Sequence, residues 1–236
     1  MAAAWESAAR GLVGDLRNVF GDRLQSVVAY GPRVDGQDAA PLTCLAVVSS
    51  LSVSDLEACA RHTARWRRNR LATPLVLPET ELRTSFDSFP LEYGEIIRAH
   101  RRIYGRDPFD GVAIAQPDLR RACETQIKSH LVHLREGFVE SGGDPRAVAG
   151  LVAESAPAFT ALLRHVAWLS GAHTTERLEA TRAGARAAGI SDAVVADLVA
   201  LEQQQPAMRA SDPARLFPDY LVAVEQLAHT VDAWRV

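Results

Sequence analysis

The sequence predicts an α+β fold, with a small mixed-sheet domain over residues 1–115 and an all-helical bundle over residues 116–236. Two valine-rich runs bounded by glycine or proline, Leu24–Tyr30 and Leu42–Val48, are typical of strands. From Pro117 onward, apolar residues recur at helical spacing instead. A chain of 236 residues can bury two cores, and the change of pattern near its middle favours two packed domains.

The first half opens with a predicted amphipathic helix over residues 4–20, which Gly21 ends. The two valine-rich strands follow, and we expect them to be neighbours in a sheet. Ser54 and Glu57 have the spacing of a capping box, which predicts a helix that continues to about Arg70. The remaining predicted strands are Pro74–Pro78, Leu91–Ile97 and Arg102–Tyr104.

Five or six helices are predicted in the second half. A proline in the first turn or a capping side chain marks the start of each helix, and glycine ends several of them. The predicted start positions are Pro117, Asp144-Pro145, Pro157, Thr174 or Thr175, Ser191 and Asp212-Pro213. Because the connections are short, we expect antiparallel neighbours in a bundle.

Composition and charge exclude several classes of protein. Apolar residues make up 47% and charged residues 23%, as in folded soluble domains, and the net charge is -3. A slightly acidic chain has no general attraction for nucleic acid or anionic membrane, so we expect neither partner. The three cysteines are far apart and odd in number, which predicts neither a disulfide framework nor a zinc site and favours a cytoplasmic location.

Two further observations concern membranes and secretion. The first 19 residues carry four charged side chains, which interrupt the apolar core that a signal peptide requires. No run of about 18 apolar residues was found in the sequence, so we expect no segment that crosses a membrane.

The order of helix, valine-rich strand, Gly31 turn, second strand, capped helix and helical bundle resembles the nucleotidyltransferase superfamily, of the minimal and aminoglycoside-modifying kind. In that family one strand ends in Gly-Ser and the next begins with Asp-x-Asp, whose carboxylates hold the Mg²⁺ ions of the reaction. Here Gly31-Pro32 stands at the Gly-Ser position. Leu42 and Cys44 stand at the two aspartate positions.

The resemblance therefore implies the fold without its metal ligands. Neither leucine nor a neutral thiol holds Mg²⁺, and Pro32 has neither a hydroxyl nor an N–H group. Glu92 is a candidate remnant of the family's third carboxylate, with Glu95 on the same predicted strand face. We predict a protein with no catalytic activity, no metal and no cofactor. The alternative is an active Mg²⁺- and ATP-dependent nucleotidyltransferase that uses Glu92 with Glu95 or Asp38.

Arginines near Glu92 form the candidate ligand-binding region. They flank the predicted Glu92 strand and, in a family-like arrangement, are expected near the cleft between the two halves. The predicted ligand-binding residues are Gly31, Arg33, Glu92, Arg98, Arg101 and Arg102. We expect either a small anionic ligand or a protein partner, which includes a second copy of the chain in a homodimer. A helical assembly scaffold is the third hypothesis.

Three other groups of residues have simpler interpretations. The basic run from Arg61 to Arg70 around Trp66 is typical of a solvated helix face, although it could also bind phosphates and stack on bases. Asp35 and Asp38 are typical turn residues. His130 and His133 share a helical face but lack the acidic companion that a metal site would need.

Overall fold

The computed structural model of the protein describes residues 5–34, 36, 40–172, 174, 176–202 and 213–234. The chain divides into two compact units, Met1–Ile114 and Ala115–Val236. The first unit combines a sheet with helices, and the second is helical throughout its described residues.

The first unit contains four strands and five α-helices among its described residues. In chain order they are α1 (Glu6–Phe20), β1 (Leu24–Tyr30), β2 (Thr43–Val48), α2 (Val53–Ala60), α3 (Thr63–Arg68), β3 (Leu75–Pro78), α4 (Glu79–Thr84), α5 (Pro90–Arg98) and β4 (His100–Gly105). The sheet order is β3-β2-β1-β4. β1 is antiparallel to both β2 and β4, whereas β3 is parallel to β2, so the sheet is mixed as predicted.

One face of the sheet packs on α1 and α3. Alternate residues of β1 and β2 supply this core, together with Leu12 and Leu16 of α1 and Trp66 of α3. The sheet residues on this face are Leu24, Val27, Ala29, Leu42, Cys44, Ala46 and Val48. Their neighbours Val28, Leu45 and Val47 are equally buried on the other face, so the two central strands are apolar on both sides.

A buried carboxylate connects the two helices that cover this face. Asp15 of α1 is 3% exposed and accepts hydrogen bonds from the indole Nε1 of Trp66 at 3.0 Å and from the guanidinium of Arg65 at 2.7 Å. A buried indole N–H needs an acceptor, since leaving it unpaired costs about 1–3 kcal/mol. Asp15 therefore fixes the position of α3 relative to α1.

We predict that Asp15→Ala lowers the free energy of unfolding by about 2–4 kcal/mol, because it leaves the buried Trp66 N–H without its acceptor. Asp15→Asn keeps an oxygen for the indole and loses only the charge facing Arg65, so a smaller loss is expected. Urea unfolding followed by tryptophan fluorescence measures both. Equal losses in the two variants would contradict the role given to the indole hydrogen bond.

Three predictions for the first unit were wrong. Residues 91–97 form helix α5 rather than a strand, with Pro90 in its first turn. The Leu-Glu-Tyr alternation fits both structures, whereas a proline at a helix start points to a helix. The second error concerns the cap of α2, which is Ser52 with Asp55 as its reciprocal partner and not Ser54 with Glu57. The helix predicted to reach Arg70 is also divided, into α2 and α3.

The second unit contains five described helices. They are α6 (Gln116–Glu140), α7 (Pro145–Leu169), α8 (Arg177–Ala187), α9 (Asp192–Glu202) and α10 (Pro213–Ala233). α7 packs against all four of the others. By length and composition alone it is the one described helix that is long and apolar enough to cross a membrane, which is weak evidence for a membrane segment because core helices pass the same test.

The helix starts were predicted with mixed success. Pro117, Asp144 and Ser191 lie at the starts of α6, α7 and α9 as predicted. Pro157 does not begin a helix, because α7 continues through it between the fully buried residues Ala156 and Phe159. Glu176 caps α8, not the predicted threonine at position 174. The predicted caps at positions 175 and 212 lie outside the described residues.

α7 and α8 are in close backbone contact at Gly184. A Cβ atom built on this residue would lie 1.8 Å from the carbonyl oxygen of Leu163 in α7. Real Cβ atoms do not come this near to backbone, so the contact between the two helices requires glycine at this position.

We predict that Gly184→Ala forces α8 away from α7 and lowers the free energy of unfolding by about 1–3 kcal/mol or more. Gly150→Ala in α7 is the matched control. A Cβ there meets nothing within 4 Å, so the better helix propensity of alanine should raise stability by about 0.5–1 kcal/mol. Thermal unfolding followed by circular dichroism measures both, and stabilisation by Gly184→Ala would show that the helices are not packed this closely.

Candidate functional site

The sheet brings three strand ends together where the family-like site is expected. β1 ends at Tyr30, which lies opposite Thr43 of β2 on one side and His100 of β4 on the other. Gly31 follows with a φ of +83°, a conformation that glycine adopts easily, and its carbonyl accepts a hydrogen bond from the Val34 N–H at 2.9 Å. We call the row Thr43, Tyr30 and His100, with the Gly31 turn, the strand-end region.

The positions that the resemblance equates with the metal-binding aspartates belong to the hydrophobic core. Leu42 is 0% and Cys44 is 1% exposed, and both pack on the face covered by α1 and α3. Burial raises the pKa of the Cys44 thiol to about 12, so it is neutral at physiological pH. Moving the alignment by one residue changes nothing, because residues 40–54 contain no Asp or Glu. Neither face of β2 offers an acidic ligand.

The remaining candidate carboxylates lie on α5. Glu92 is exposed and Glu95 is half-buried, and the two lie one helical turn apart on α5. The prediction that they share the face of a strand is therefore wrong, because this segment is a helix. Asp35 and Asp38 lie outside the described residues. Among the residues that the structure does describe, no group of three or more His, Cys, Asp or Glu side chains has a geometry that could hold a metal ion.

The predicted arginines do not form one cluster. Arg33 is 9% exposed and folds back, donating from Nη1 to the Arg70 carbonyl at 2.9 Å. Arg98 is half-buried at the end of α5, and Arg101 and Arg102 are exposed on β4. Successive strand residues point to opposite faces: Arg101 lies opposite Ala29, on the face of the described core, whereas Arg102 lies opposite Val28. Arg102 alone of the two thus shares the face of Tyr30 and His100.

A histidine–aspartate pair that the sequence did not predict adjoins the strand-end region. The His100 Nδ1 lies 2.9 Å from the Ile96 carbonyl oxygen, and its Nε2 lies 3.0 Å from an Asp107 carboxylate oxygen. Burial acts to raise the pKa of Asp107, but the Phe109 N–H and His100 hold it below its usual value. Both ring nitrogens are occupied, so His100 holds the end of α5 to the segment after β4. No sequence motif marks His100, because its partners Ile96 and Asp107 reach the ring only through the fold.

The other groups noted in the sequence are structural. Trp66 is 2% exposed, so it cannot stack on a nucleobase. His130 is half-buried in the second unit, where its Nε2 lies 2.7 Å from the Tyr220 hydroxyl, and its removal from water lowers its pKa to about 4. His133 is exposed and lies 3.1 Å from a Glu136 carboxylate oxygen. The two histidines therefore do not converge on one metal position.

Comparisons with known proteins identify a similar fold among solved structures and no related sequence. No protein-family model matches the chain, and no curated protein matches it. The solved structure of spectinomycin adenyltransferase from Enterococcus faecialis, with ATP and spectinomycin, is similar over 94% of this chain and 98% of that one. Its TM-score is 0.57, at 13% identity. A nucleotidyltransferase-like protein from Exiguobacterium sibiricum matches over 96% of this chain and 75% of that one, with a TM-score of 0.36 and 13% identity.

The protein therefore has a nucleotidyltransferase-like fold, as the sequence predicted. One protein that it resembles along almost its whole length is the spectinomycin adenyltransferase. At 13% identity this likeness establishes the fold and leaves the chemistry to be argued from the residues of this chain.

We predict that carboxylates cannot be restored at the core positions of β2. Cys44→Asp places an ionisable group in a fully apolar core, so it should lower the free energy of unfolding by at least about 3 kcal/mol. Cys44→Ala leaves only a small gap and should cost about 1–2 kcal/mol. Urea unfolding with and without Mg²⁺ tests both variants, and a folded Cys44→Asp protein that Mg²⁺ stabilises would contradict the core assignment.

Proposed function

We propose that the protein is a catalytically inactive nucleotidyltransferase-like protein that binds a small anionic ligand. The observation behind this proposal is the start of β2, where Leu42 and Cys44 are buried in the core and residues 40–54 include no acid. Transfer of a nucleotidyl group in this family depends on carboxylate-bound Mg²⁺, which neutralises the triphosphate. A strand without acidic oxygens offers the metal no place.

Exposed guanidinium groups support the choice of an anion. Arg101 and Arg102 lie on the edge strand β4, and Arg102 shares the face of the strand-end region. Guanidinium groups bind phosphate and carboxylate without a metal and stay charged at all physiological pH values. ATP is the ligand to test, because it is an anion and the spectinomycin adenyltransferase structure holds it.

We predict that ATP raises the melting temperature equally in EDTA and in Mg²⁺, and that no adenylylated product forms with spectinomycin. A ligand that binds only the folded state stabilises it by RT ln(1 + [L]/Kd), about 1.4 kcal/mol at ten times Kd. Arg102→Gln should reduce the shift. Arg67→Gln on α3 removes the same charge from an exposed site in another place and should leave the shift unchanged.

The outcomes separate the three hypotheses. ATP stabilisation that requires Mg²⁺, with product formation that Glu92→Gln abolishes, would establish an active transferase and overturn the proposal. A melting temperature that ATP does not change would favour a protein-interaction module or a helical scaffold. Light scattering would then show whether the partner is a second copy of the chain.

A further inference from the structure

A small cavity lies within the first unit, between the sheet and α4. Ser26 of β1, Val47 of β2 and Leu82 of α4 line its inner wall. Glu79, Arg83 and Arg106 line its outer part. The space open to the centre of a water molecule is about 10 Å³, which is close to the minimum for one water.

Two buried oxygen atoms at this cavity have no partner in the described protein. Ser26 is 1% exposed, and its Oγ makes no hydrogen bond to any described residue. The same holds for Oε1 of Gln25. Buried polar atoms are almost always bonded, because leaving one unpaired costs about 1–3 kcal/mol. A molecule that donates a hydrogen bond to Gln25 Oε1 and forms another with the Ser26 hydroxyl would satisfy both oxygens.

An irregularity in β1 turns both side chains toward the same cavity. Consecutive residues of a regular strand point to opposite faces, but the pairing of β1 with β2 shifts register between Leu24 and Ser26. Such a bulge redirects a side chain. Gly105 of β4 lies opposite Ser26, and a Cβ there would lie 1.9 Å from the Gln25 carbonyl oxygen. The backbones meet so closely that the position opposite the cavity has room only for glycine.

Charge and size select the occupant. Glu79 is already bonded to Arg83 at 3.1 Å, to Arg106 and to the side chain of Gln25. One carboxylate against two guanidinium groups leaves a net positive surrounding, which disfavours ammonium or a metal cation. The volume is too small for phosphate or a carboxylate ligand. A neutral molecule of water size fits both limits.

We propose that this cavity is a binding site for one structural water molecule. The water accepts a hydrogen bond from the Ser26 hydroxyl and donates one to Oε1 of Gln25. The Glu79 carboxylate, which lines the same cavity, is the acceptor available for its second proton. The water thereby links the bulge of β1 to the first turn of α4, and it is independent of the ligand proposed for the strand-end region.

A crystal structure of the full chain, grown without ammonium salts, tests the site directly. We expect one ordered water about 2.7–3.2 Å from both Ser26 Oγ and Gln25 Oε1. Ser26→Val fills the space and should remove the water, with the rest of the sheet unchanged. A wild-type map with no density at this place, or with the two side chains bonded to each other, would overturn the proposal even if the variant fails to fold.

Unfolding measurements supply a second readout. If the hydroxyl is bonded to water, Ser26→Ala should shift the urea midpoint to a lower concentration. Removal of an unpartnered buried hydroxyl would instead leave the midpoint unchanged or raise it, and that result would count against the site. Equal melting temperatures in sodium chloride and ammonium chloride are expected for water, whereas stabilisation by ammonium alone would show that the occupant is a cation.

Discussion

The burial of β2 on both faces is the constraint on which the first unit depends. Its residues 44–48 are all buried, three of them against α1 and α3 and two on the opposite side of the sheet. Each of these buried side chains stabilises the fold, because burial of apolar surface contributes about 25 cal/mol of free energy per Å² removed from water. The strand therefore has no place for a charged group, since an unpaired buried carboxylate costs several kcal/mol.

Fold and chemistry make opposite demands on this strand. A metal-dependent transferase needs carboxylate oxygens at the start of the strand, exposed enough to bind Mg²⁺ and substrate. Here Leu42 and Cys44, at the start of β2, belong to the core. A fold depends on the overall apolar pattern, whereas a metal site depends on two or three side chains, so a fold can be similar at 13% identity without any implication for the residues of a site.

Predictions from the sequence were right where burial produces a distinctive apolar pattern, and wrong where the same apolar pattern fits both a helix and a strand. The valine-rich runs predicted β1 and β2 because both faces of these strands are buried. Residues 91–97 were wrongly predicted as a strand, since alternation over three residues also fits the helix that Pro90 starts. Pro157 removes only one hydrogen bond, so the buried residues around it keep α7 continuous. Such cases are decided by tertiary packing.

The arrangement of the candidate site was harder to predict than the fold, because it depends on strand pairing and not on the spacing of residues in the sequence. The absence of acids in residues 40–54 was visible in the sequence, whereas the separation of Arg101 from Arg102 follows from the pairing of β4 with β1. The same pairing places His100 beside Tyr30, and the turn after β4 brings Asp107 to the ring. Adjacent arginines on an edge strand reach opposite faces, so a charged run in sequence becomes two separate surfaces. The anion proposed here thus meets the guanidinium of Arg102 and not a cluster of arginines.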